Sequence, residues 1–115
     1  MNVEISKLPN GVNRIKLDGD LDMGGVGAVE KRLLDLCVDD PPQVIVDLSR
    51  VGFIGSFGIR MLLQAIKTAS ARGGRIVLLN PTKIVDSALD ISGLGGNVVR
   101  GDDAEAAGSV VQSGK

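Results

Sequence analysis

Ser56 has the setting that best suits chemistry. It follows Val46-Asp47-Leu48-Ser49-Arg50-Val51-Gly52-Phe53-Ile54-Gly55, where a buried strand ends in Asp-Leu-Ser and a short loop leads into an amphipathic helix. Two roles are open to a serine at such a helix start. Its hydroxyl can cap the helix by accepting from an unpaired amide, which contributes about 1 kcal/mol. It can instead stand exposed as a modification site, because a phosphate there meets the positive helix end and its free amides.

Other groupings carry less. Asp18, Asp20 and Asp22 alternate, so within a strand their carboxylates share one face and suggest a cation. A calcium loop counted from Asp18 requires glycine at its sixth position and glutamate at its twelfth, where the chain has Met23 and Val29, so no metal is expected. Gly25-Val26-Gly27 precedes a helix as a dinucleotide loop does, but Glu30 stands where the third glycine belongs and would repel a pyrophosphate. No Gly-Lys-Ser or Gly-Lys-Thr phosphate loop is present. The chain has no His and a single cysteine, Cys37, which excludes histidine triads, histidine zinc sites, cysteine clusters and internal disulfides. No cofactor and no catalysis are expected. With neither Trp nor Tyr, and Phe53 and Phe57 the only aromatics, there is no stacking platform for single-stranded nucleic acid. Lys plus Arg is 13 and Asp plus Glu is 14, and a net charge of −1 calls for no polyanionic partner. A small molecule in the cleft beside the strand ends has only loop glycines in its favour.

The elements that position Ser56 follow from apolar spacing along 115 residues, a length that fits one domain over 1–115. Val3 and Ile5, a Pro9-Asn10-Gly11 turn, then Ile15, Leu17 and Leu21 predict a hairpin. Asp22 caps a helix burying Val26, Val29, Leu33, Leu36 and Cys37. Val44 to Leu48 shows no alternation and predicts a central parallel strand covered on both faces. A second helix starts at Ser56, buries Ile59, Leu62, Leu63, Ile66 and Ala69, and stops at Gly73-Gly74. Ile76 to Leu79 forms the next strand, completing a right-handed βαβ unit. Asn80 and Pro81 open a short helix with Ile84, Ala88 and Ile91 inward and a stop at Gly93; Val98 and Val99 give a last strand, and a terminal helix spans about 102–111. The fold class is α/β, a mixed sheet of four to five strands packed with about four helices. The longest apolar run, Ile76 to Leu79, falls far short of the roughly 20 residues of a membrane span. The start, MNVEISKLPNG, lacks the basic-then-apolar layout of a secretion signal, so a cytoplasmic location is expected.

Taken in order, Gly19-Asp20-Leu21-Asp22, Asp47-Leu48-Ser49, Phe53-Ile54-Gly55-Ser56-Phe57-Gly58-Ile59, Gly73-Gly74, Ile76 to Leu79 and Leu89-Asp90-Ile91-Ser92-Gly93-Leu94 resemble the STAS domain of bacterial anti-sigma factor antagonists. The resemblance runs over about 3–100. It implies a partner-switching binder and not an enzyme. The antagonist binds an anti-sigma factor that is a serine kinase with a histidine-kinase-like ATPase fold, frees the sigma factor, and lets go when phosphorylated at the position matching Ser56; a phosphatase resets it. The resemblance further implies partner or kinase contacts at Asp22, with Asp20 beside it, and at Gly55, Ser56, Phe57 and Gly58; Arg60 and Gln64, about one and two turns further along one side of the helix after Ser56, either flank the partner surface or form a solvated helix face. Where the family commonly has Asp-Ser-Ser-Gly or Asp-Ser-Thr-Gly, this chain has Gly55-Ser56-Phe57-Gly58. An aromatic at an exposed helix start either tucks into the core or anchors an interface, and the anchor is expected of Phe57. The second functional class is a scaffold STAS module of a sensory or transporter-associated complex, with Ser56 only a helix cap.

Overall fold

Burial alternates along Asn13–Asp18, with Ile15 and Leu17 fully buried on either side of a half-exposed Lys16, which fixes the segment as a strand with one face on the core. In a computed structural model, which describes residues 1–38 and 41–100, this is β2, paired antiparallel with β1 (Asn2–Lys7). The chain continues through α1 (Met23–Leu36), β3 (Gln43–Arg50), α2 (Ser56–Ala71), β4 (Arg75–Leu79), α3 (Lys83–Ile91), a 3-10 turn at Gly95–Asn97 and the short β5 (Val98–Val99). The expected terminal helix at 102–111 lies outside the described residues, among which there are three α-helices. None of these helices is long and apolar enough to cross a membrane.

The strands lie in the order β1-β2-β3-β4-β5, antiparallel at the first step and parallel thereafter. Each parallel crossover therefore steps the same way, and right-handed crossovers then put α1, α2 and α3 on one face of the sheet. Their inward residues, among them Val29 and Leu33 of α1, Leu62 of α2 and Leu89 of α3, form one core with Ile15, Leu17, Val44, Val46, Leu48, Ile76 and Leu78. Val12, Ile45, Val77 and Leu79 form a smaller cluster on the opposite face. β3 thus buries both faces, as its unbroken apolar run predicts.

Two helices are turned differently from the pattern of their large apolar residues. α2 buries Gly58, Met61, Leu62, Ala65 and Ala69, whereas Leu63 is exposed and Ile59 and Ile66 are half-buried. Close approach decides this. A Cβ on Gly58 would lie 2.7 Å from Ile54 Cγ1 and 2.9 Å from the Leu21 carbonyl oxygen, so the helix is seated closely at Gly58, with Met61 and Leu62 inward, Ile59 and Ile66 packed at the edge of the core and Leu63 turned out. α3 begins at Lys83 after Thr82, not at Pro81, and turns Val85 and Leu89 inward while Ile84 and Ile91 are 67% and 86% exposed. Asn80 is held in the loop at φ 48°, its amide donating to the Val99 carbonyl at 2.7 Å. The inward face is thus turned away from Ile84 and Ile91, while half-buried Ala88 packs against the core as expected.

One charged residue sits in the sheet interior. Asp47 on β3 is buried and accepts hydrogen bonds from Arg14 Nη2 at 2.6 Å, the Ser49 hydroxyl at 2.7 Å and the Ser49 amide at 3.0 Å. Burial pushes its carboxyl up, but the bonds from Arg14 and Ser49 and the Arg14 charge outweigh this and hold it below its ordinary value of 3.8. A depressed folded value contributes stability that is present above the ordinary value and lost as pH falls through the folded one. Asp47→Asn should therefore destabilise the domain by about 2 to 3 kcal/mol at neutral pH, by orphaning the Arg14 charge. Urea titrations should show the gap from wild type closing as pH drops below 3.8. A gap that does not change with pH would show that the carboxylate charge does not stabilise the fold.

Candidate functional site

Ser56 is brought to the surface by two segments that stay paired beyond the ends of their strands. β2 ends at Asp18 and β3 at Arg50, yet the Gly19 amide donates to the Arg50 carbonyl at 3.2 Å, the Leu21 amide to the Phe53 carbonyl at 2.8 Å and the Gly55 amide to the Leu21 carbonyl at 3.1 Å. Leu21 and Ile54, both buried, form an isolated parallel bridge. Asp22 and Ser56, each one residue past a bonded pair, therefore start the neighbouring helices α1 and α2 at the same end of the sheet. The regular alternation expected for Asp18, Asp20 and Asp22 stops with β2 at Asp18.

The structure separates the two roles open to Ser56. Gly55 occupies the cap position of α2, no side chain caps the helix, and the first helical bond runs from the Ile59 amide to the Gly55 carbonyl at 3.0 Å. Ser56 is the first helical residue and is exposed, so the capping role expected on one reading is not the one it plays. The cap fails for a simple reason. A capping hydroxyl must precede the first helical residue, and the Leu21–Gly55 bond puts glycine there. The opening amides of α2 have no acceptor within the helix, and its first turn contains no acid. Positive potential at this end is thus uncompensated by any side chain of the helix itself.

Around Ser56 the other expected residues take distinct places. Asp22 is exposed and caps α1, with Oδ1 accepting from the Gly25 amide at 2.8 Å. The carboxylate of Asp20 lies over the loop, where a Cβ on Gly52 would come 3.3 Å from its Oδ1. Gly25, in the stretch that imitates a dinucleotide loop, seats α1 instead; an added Cβ would run into the Asp20 carbonyl oxygen. Gly58 faces inward beneath Ser56. Phe57 is 48% exposed rather than tucked into the core, with the Arg60 guanidinium 5.9 Å from its ring centroid. Gln64 is exposed further along α2.

Sequence reasoning missed Phe53 and Met23, which are 48% and 69% exposed. Phe53 leans over Gly55, and Met23 opens α1 beside Asp22. The signal was present in the composition: both aromatic residues of the chain lie within a few residues of Ser56, and both stay in solvent. An exposed serine at the same end of the sheet as the exposed apolar side chains of Met23, Phe53 and Phe57 and the carboxylates of Asp20 and Asp22 has the composition of a protein interface.

A model of the STAS domain family matches residues 6–106. The anti-sigma-F factor antagonist RsfB of Mycobacterium tuberculosis is 34% identical over 53 residues, 46% of this chain and 43% of the relative, so the match spans less than half of that protein. The Bacillus anti-sigma factor antagonist SpoIIAA in its unphosphorylated form superposes with a TM-score of 0.81 at 24% identity, over 95% of this chain and 96% of that one. An anti-sigma factor antagonist from Mycobacterium paratuberculosis also gives 0.81, at 21% identity over 96% and 93%. At these identities the two superpositions establish a shared fold.

Proposed function

The chain belongs to the STAS domain family, and from that premise we propose that it is an anti-sigma factor antagonist switched by phosphorylation of Ser56. One observation carries the reading: the serine at the family's phosphoacceptor position is exposed as the first residue of α2, with its hydroxyl not engaged as a cap. The partner on this reading is an anti-sigma factor that is also a serine kinase of the histidine-kinase-like ATPase type. The kinase transfers the γ-phosphoryl group of ATP to Ser56 Oγ, the hydroxyl proton leaves, an O–P bond forms and ADP departs. The chain itself supplies no catalysis. Asp20 and Asp22 flank the acceptor as kinase or partner contacts, Phe57 and Arg60 anchor the interface, and a phosphatase restores the binding form.

Gly55 and Phe57, in place of the family's acid and small polar residue, favour a second reading: a STAS module that docks in a sensory or transporter-associated assembly with Ser56 unmodified. Co-purification with such an assembly, unaffected by ATP, is the result that reading requires.

Displacement separates the two. Added to a preformed complex of a sigma factor with an ATPase-type anti-sigma factor from the same genome, the unmodified chain should free the sigma factor on gel filtration. An anti-sigma complex that stays intact at saturating chain, for every such pair in the genome, would rule the antagonist reading out.

A further inference from the structure

Between Asp47 and Asp86 the chain contains no acidic residue, yet it carries Arg50, Arg60, Lys67, Arg72, Arg75 and Lys83. A protein with a net charge of −1 thus concentrates positive charge on the segment that holds Ser56 and the whole of α2. On the outer face of that helix Arg60, Leu63, Gln64, Lys67 and Thr68 line a shallow groove of about 310 Å³. Among the described residues the ion pairs are Arg14 with Asp47, Lys31 with Asp35 and Arg100 with Asp86, so neither Arg60 nor Lys67 meets a carboxylate. Leu63, exposed between them, supplies an apolar floor. The Arg60 guanidinium also lies 5.9 Å from the ring centroid of Phe57, the residue next to Ser56, so one groove residue is shared with the neighbourhood of Ser56.

We infer that this groove of α2 is the docking surface for an acidic face of the anti-sigma factor, whose carboxylates pair with Arg60 and Lys67 around Leu63. The inference rests on the antagonist reading and names the chemistry of its partner. Charge complementarity is what selects an acidic face, since a surface with unpaired cations and no acid attracts carboxylates and repels another basic surface. A protein fits better than nucleic acid, because two cations separated by an apolar side chain do not track a phosphate backbone. The same charge pattern gives the switch a second lever. A phosphate on Ser56 adds about −1.5 to −2 charge at the head of the groove and repels the carboxylates that the groove attracts.

The test titrates wild type, Lys67→Glu, Lys67→Gln and Lys7→Glu against each ATPase-type anti-sigma factor of the same genome. Lys7 lies on the edge strand β1, paired with Asn13 and outside the groove lining, and controls for net charge. At about 50 mM NaCl, Lys67→Glu should weaken binding about tenfold and Lys67→Gln about threefold, with Lys7→Glu within about twofold of wild type. At about 500 mM NaCl the difference between Lys67→Glu and wild type should shrink to about threefold or less. Lys67→Glu binding as tightly as wild type at both salt concentrations overturns the acidic-face inference and leaves the antagonist reading standing. Failure of wild type to bind any of these factors removes that reading and the inference with it. Tight binding of a duplex oligonucleotide that Lys67→Glu abolishes would assign the groove to nucleic acid instead.

Discussion

Ser56→Asp should weaken binding to the anti-sigma factor that the proposed function requires about a hundredfold, while Ser56→Ala should bind within about threefold of wild type. A hundredfold change is about 2.7 kcal/mol, and a charge desolvated in an interface without a partner costs several kcal/mol, so a single carboxylate at this position suffices. Ser56 is the first residue of α2, and its hydroxyl does not cap the helix, so removing it leaves the fold intact. An acid in the first turn interacts favourably with the helix dipole by about 0.3 to 1 kcal/mol, so Ser56→Asp should melt no lower than wild type. The pairing of unchanged or raised Tm with lost affinity is specific to an interface switch. Equal affinities for the Asp and Ala variants would sink it.

Gly58→Val should cost about 3 kcal/mol and lower Tm by about 10 to 20 °C. The added Cβ would press on Ile54 Cγ1 at 2.7 Å, the Leu21 carbonyl oxygen at 2.9 Å and Leu21 Cβ at 3.0 Å, and both residues belong to the bridge that carries the Ser56 loop. The carbonyl is itself committed to the Gly55 amide, so relief requires moving the head of α2 away from the sheet. Gly27→Ala is the matched control. Gly27 lies within α1 with nothing inside 4 Å of an added Cβ, and alanine there should be neutral or stabilising by up to about 1 kcal/mol. If Gly58→Val melts within a few degrees of wild type, the seat of α2 is softer than described.

The parts of this fold that could be read in advance are those set by local rules. The unbroken Val44 to Leu48 run marks a strand buried on both faces, and Asp22 before α1 makes the hydrogen bond its side chain predicts. The misreadings share a cause, which is that a contact distant in sequence overrode a local preference. α2 is rotated because Gly58 meets Leu21 and Ile54, and a pattern of large apolar residues gives a glycine no weight. α3 starts late because Asn80 bonds Val99 on the neighbouring strand. Asp47 reads as one member of an Asp-Leu-Ser stretch until Arg14, on the adjacent strand, makes it a buried ion pair. At the site, the position of Ser56 was legible but its freedom from capping was not, since that depends on the Leu21–Gly55 bond. The groove beyond it is half legible in the sequence: helical spacing points to Arg60 and Gln64, while the apolar pattern counts Leu63 with the core and gives no signal for Lys67.

The most direct test is phosphotransfer itself. On the proposed switch, incubation with ATP, magnesium and an ATPase-type anti-sigma factor that binds the chain should add a single phosphate that peptide mass spectrometry places on Ser56, and Ser56→Ala should gain none. A phosphate on another residue, or no phosphate from an anti-sigma factor that binds the chain, would contradict the switch.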